Sequence, residues 1–91
     1  MKLIYAIIHE RDSDLVVEAL IKHGFTVTRM ASTGGFLRFG NVTLLIAVDS
    51  EKVDEVINLL KTLCLPSEPA QSAATIFVIE MPIFRKLPKN P

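Results

Sequence analysis

The 91-residue chain has one cysteine, one tyrosine, no tryptophan, four glycines and no charge of either sign to spare. A lone thiol, Cys64, excludes an internal disulfide and a thiolate metal centre, and it suits a reducing cytoplasm. Ten Lys and Arg balance ten Asp and Glu, giving a formal net charge of zero. That balance removes the electrostatic basis for general nucleic-acid or anionic-membrane binding. The longest unbroken apolar stretch, Leu3 to Ile8, falls far short of the roughly 18 residues a bilayer span needs. No small-residue cleavage site follows it, so no secretion signal is read. A Ser or Cys nucleophile linked to a histidine is also missing, and no acid–base pair stands out, so catalysis is not expected. What is present is 49% apolar and 22% charged, the composition of one ordinary domain. At this mass roughly 64% of the chain's surface is buried on folding, a thin core that association would reinforce.

Along the chain one unit occurs twice. Leu3 to His9 is an Ile-rich run of the kind that forms a strand buried on both faces or at an interface. Asp12 or Ser13 is placed to cap a helix whose apolar positions are Leu15, Val16, Ala19, Leu20 and His23, and Gly24 ends it. Phe25 to Met30 alternates as a strand. Ala31 to Asn41 is a glycine-punctuated connection. Val42 to Val48 is again a dense apolar strand, and Asp49 or Ser50 caps a helix with Val53, Val56, Ile57, Leu60 and Leu63 on one stripe. Pro66 to Ser72 is a loop, Thr75 to Met81 the last strand, and the basic residues from Arg85 a loose tail. The domain is expected to span 1–88, with 89–91 as its loose end. The order β-α-β-β-α-β with right-handed crossovers gives an α+β, ferredoxin-like fold: a four-stranded antiparallel sheet with both helices on one face. Apolar residues on both faces of the central strands then predict a homo-oligomer packed through the uncovered side.

The densest chemistry lies in Thr28-Arg29-Met30-Ala31-Ser32-Thr33-Gly34-Gly35-Phe36-Leu37-Arg38-Phe39-Gly40-Asn41. Adjacent glycines permit the positive φ that turns successive N–H groups into one concavity, and Ser32 and Thr33 add hydroxyls, as an anion-binding nest requires. Phe36 and Leu37 supply flat and aliphatic surface for a planar base. The same letters also build an ordinary hairpin whose glycines turn the chain and whose Phe36 and Phe39 fill a core. Periodicity and spacing leave both open.

This segment, with Gly24-Phe25 before it and Thr43, Leu44 and Leu45 after it, closely resembles the cyclic-di-AMP receptor family of PII-like signalling proteins. The likeness extends to Met1 to Ile8, Val53 to Val56 and Ala74 to Val78. It implies a PII-like homotrimer with nucleotide sites between subunits and a non-catalytic role: the ligand reorders loops that an unnamed downstream protein reads. By the same resemblance Thr28 lies near a phosphate, and Ala31, Ser32, Thr33, Gly34 and Gly35 shape the loop around it. Phe36 and Leu37 stack on or flank one adenine, and Asn41 hydrogen-bonds within the pocket. The ligand is cyclic-di-AMP or a related adenine nucleotide, with no metal or other cofactor. The chain departs from the family at Gly24 and Thr26, where members often carry Asn and Arg, and at Ala47, where they carry Gly. Its 64–74 stretch is short and ends Ser72-Ala73-Ala74, where members have a long excursion ending Val-Gly-Gly-Ala.

Two other constellations compete. His9, Glu10 and Asp12 place three potential metal ligands in one turn, a pattern more often a solvated cap. An amino-acid-binding regulatory module of the ACT type, or a ligand-free interaction module, shares the element order; ACT modules hold ligands at the first strand-to-helix turn, here His9 to Asp14.

Overall fold

The computed structural model describes residues 1–31, 40–64 and 74–82. The elements are β1 (Lys2–His9), α1 (Glu10–Lys22), β2 (Thr26–Ala31), β3 (Asn41–Val48), a single 3-10 turn at Ser50–Lys52, α2 (Val53–Leu63) and β4 (Ala74–Glu80). The sheet order is β2-β3-β1-β4, with every neighbouring pair antiparallel. This is the ferredoxin-like α+β arrangement expected from the element order. The 66–72 loop and the tail from Arg85 lie outside the described residues.

Strand periodicity sorts the sheet's two faces. Ile4, Ala6 and Ile8 of β1 and Val42, Leu44, Ile46 and Val48 of β3 are buried against Val16 and Leu20 of α1 and Val56, Leu60 and Cys64 at α2. Fully burying one such aliphatic side chain contributes about 1.5–3 kcal/mol. The exposed Arg29–Asp14 ion pair between β2 and α1, by contrast, is worth at most about 1 kcal/mol. Apolar packing therefore fixes where the helices sit. On the other face Leu3, Tyr5 and Ile7 of β1 are only half-buried and Phe77 and Ile79 of β4 are exposed. Strand β1 is thus buried on one face, not both.

The helix starts differ from expectation. Glu10 follows His9 directly, so Asp12 and Ser13 lie inside α1 and neither caps it. The reason is a long-range partner: the Glu10 N–H donates to the Gly40 carbonyl at 2.7 Å, satisfying one of the first-turn donors that a side-chain cap would otherwise serve. With that phase, the buried stripe is Ser13, Val16 and Leu20, and Leu15 points outward at 55% exposure. Asp49 precedes the 3-10 turn without a side-chain cap bond, and the Lys52 N–H donates to its carbonyl at 2.8 Å. Gly24 does end α1. At φ +86° it donates to the Ile21 carbonyl while Phe25 donates to that of Leu20, the paired bonds of a Schellman cap. His23 closes the same end, its Nδ1–H donating to the Ala19 carbonyl at 2.8 Å.

Candidate functional site

Register places the site residues that the structure describes. Thr28 pairs with Leu45, Met30 with Thr43 and Thr26 with Ala47; Tyr5, Ile7 and His9 of β1 pair with Leu45, Thr43 and Asn41. Alternation therefore puts Thr26, Thr28, Met30, Asn41, Thr43, Leu45 and Ala47 on one face, the one the helices leave uncovered. Thr28 is exposed and Asn41 half-buried. The β2–β3 ladder ends at Ala31 and Val42, so Thr28 and Asn41 flank the ends of the glycine-rich 32–39 segment. Ser32, Thr33, Gly34, Gly35, Phe36 and Leu37 lie outside the described residues, and of Ala31 only the backbone is described.

Gly40 anchors the far end of that segment. Its φ of +90° turns the chain into β3, and its carbonyl holds the first turn of α1. A Cβ built there would meet nothing within 4 Å, so the requirement for glycine is conformational and not steric crowding by neighbours. The sequence signal was present in the Gly40-Asn41 pair, but the contact to Glu10 spans thirty residues and has no local trace.

Of the segment's two cations, Arg38 lies outside the described residues. Arg29 lies on the helix side of the sheet, where its Nη1 donates to Asp14 Oδ1 at 2.7 Å and to Ser13 Oγ at 3.2 Å. It therefore faces away from Thr28. Among the described residues, the Thr28 face of β2 and β3 carries no charged side chain. Thr26 and Ala47 are cross-strand partners beside Thr28, and Gly24 lies two residues before Thr26 at the end of α1.

His9, Glu10 and Asp12 form no group able to hold a metal among the described residues. A groove of about 450 Å³ beside the start of α1 is lined by Glu10, Ser13, Asp14, Arg29 and Val42, where an ACT-type ligand would sit. Its one cation already pairs with Asp14, and the Glu10 N–H is taken by Gly40. Cys64 is core: it is 2% exposed, and burial, with the Asp12 carboxylate adding to it, pushes its thiol up to about 11.

Comparison with known proteins decides the family: residues 1–75 match the model of the cyclic-di-AMP receptor. The chain belongs to the cyclic-di-AMP receptor family. A crystal structure of a functionally unknown protein from Pediococcus pentosaceus ATCC 25745 is similar at 27% identity and TM-score 0.79, over 94% of this chain and 96% of that one. The family match takes in β1 through α2, including the whole glycine-rich segment with Thr28 and Asn41 at its ends. No helix among the described residues of this cyclic-di-AMP receptor family member is long and apolar enough to cross a membrane.

Proposed function

We propose that this chain is a non-catalytic, cytoplasmic receptor that binds cyclic-di-AMP or a related adenine nucleotide through residues 28–41. The pockets are clefts between subunits of a homotrimer, and the bound state is relayed to a protein partner. The observation that carries this reading is the pairing of family membership with geometry: Thr28 and Asn41 share one face at the two ends of the glycine-rich segment. Exposed Phe77 and Ile79 beside half-buried Tyr5 support association through that same open side. An anion there gains its donors from backbone N–H groups and hydroxyls instead of Arg29, which is tied to α1.

Titration calorimetry with cyclic-di-AMP, cyclic-di-GMP, ATP and AMP tests the proposal. Heat with the first and weak or no heat with the second is the expected pattern. Silence from all four at high micromolar concentration removes the nucleotide reading.

A further inference from the structure

Thr43 is fully buried, yet its Oγ1 has no hydrogen-bond partner among the described residues. A strand interior rewards the β-branched shape of threonine, but that shape is supplied equally by valine, which carries no hydroxyl to desolvate. An unpaired buried hydroxyl costs stability, so the fold alone gives no reason for it. The other orphaned oxygen, Asp12 Oδ2, belongs to a carboxylate whose second oxygen lies 3.5 Å from Arg11. Thr43 has no such counter-charge, and its position is different in kind. It stands on the uncovered face between Asn41 and Leu45 of β3, opposite Met30 of β2, with Thr28 one pair further along.

We propose that Thr43 is a ligand-contacting residue of the nucleotide site, its hydroxyl hydrogen-bonding the edge of a bound base. This rests on the functional reading above and adds a residue to it. The choice of base over phosphate follows from charge. A fully buried position on a face with no described cation would make a phosphate expensive to desolvate, whereas a neutral heterocycle offers ring nitrogens and amino hydrogens at smaller cost. Thr43 serves either kind of edge atom, since a hydroxyl both donates and accepts. Met30, its cross-strand neighbour, is unbranched and 43% exposed.

The test uses Thr43→Val and Thr43→Ser in the full chain, with melting of the ligand-free protein and calorimetry with cyclic-di-AMP. Thr43→Val is expected to melt at or above the parent temperature, because it removes an unpaired polar group, while binding about tenfold more weakly. Thr43→Ser keeps the hydroxyl and is expected to bind within about threefold of the parent. Unchanged affinity in Thr43→Val overturns the inference while leaving nucleotide binding intact. A ligand-free melt that falls in Thr43→Val overturns it too, since the hydroxyl then has a partner within the protein. A parent protein that binds no nucleotide removes the functional reading and this inference with it.

Discussion

Gly40 does two jobs, and a side chain would strain only the first. Its φ of +90° is open only to glycine without strain, and its carbonyl takes the Glu10 N–H. Because a Cβ there has open space, Gly40→Ala isolates the backbone cost, expected at about 1 kcal/mol of lost stability by urea unfolding. An unchanged midpoint would mean that the turn relaxes to negative φ. Cys64 gives a pH prediction with a definite sign. Its folded-state value of about 11 lies above the ordinary 9.0, so the folded state holds the proton more tightly. The stability linked to that proton is fully present below pH 9 and declines as pH rises from about 9 towards 11. The thiol should also resist alkylation at pH 8 in the native protein and react fully in denaturant. Rapid native labelling would show that the site opens. Burial of Cys64 was readable from the apolar stripe it ends. The orphaned hydroxyl of Thr43 was not, because a threonine in a strand looks the same in sequence whether its oxygen is paired or bare.

At the level of elements, the strands were legible because β-branched runs end where charge or glycine begins, and all four lie within a residue of where alternation puts them. The start of α1 was not, since its donor is met by a carbonyl from the far end of the glycine-rich segment; the cap lies at His9, three or four residues before the expected Asp12 or Ser13, and Leu15 points outward. Of the candidate site, only the placement of its described residues can be compared with the sequence. Period-two alternation separates Thr28 from Arg29, but only the register shows that Thr26, Thr28 and Ala47 sit together and that Arg29 is pinned to Asp14. That grouping yields a gain-of-binding prediction. Thr26 is exposed on the edge strand, so Thr26→Arg adds a cation to a face that has none described, without displacing packed atoms. Cyclic-di-AMP should bind several-fold tighter by calorimetry, consistent with about 1 kcal/mol from one charge-assisted hydrogen bond, and the melting temperature should hold. Equal affinity in parent and variant would place the ligand's phosphates away from β2.

For the whole molecule the decisive feature is asymmetry between the two sides of the sheet. One side buries its aliphatic residues under both helices; the other leaves Phe77 at 50% and Ile79 at 48% exposure, with Tyr5 meeting Phe77 edge-to-face at 6.3 Å. These residues and Val78 line a shallow apolar hollow of about 370 Å³ on and beside β4. Among the described residues strand β4 is an edge strand, and no described strand pairs with its outer side. An apolar surface joined to an open edge favours a second copy of the chain over solvent, and a domain this small gains most from such burial. Phe77→Glu tests that directly, because the ring is half exposed in a single chain and its loss leaves the helix-side core untouched. If the proposed homotrimer forms through this side, light scattering should move from the mass of three chains to that of one, while circular dichroism keeps the folded signal. If the variant retains the trimer mass, the subunits meet elsewhere; if it separates and loses nucleotide binding together, the pocket is completed by the neighbouring subunit.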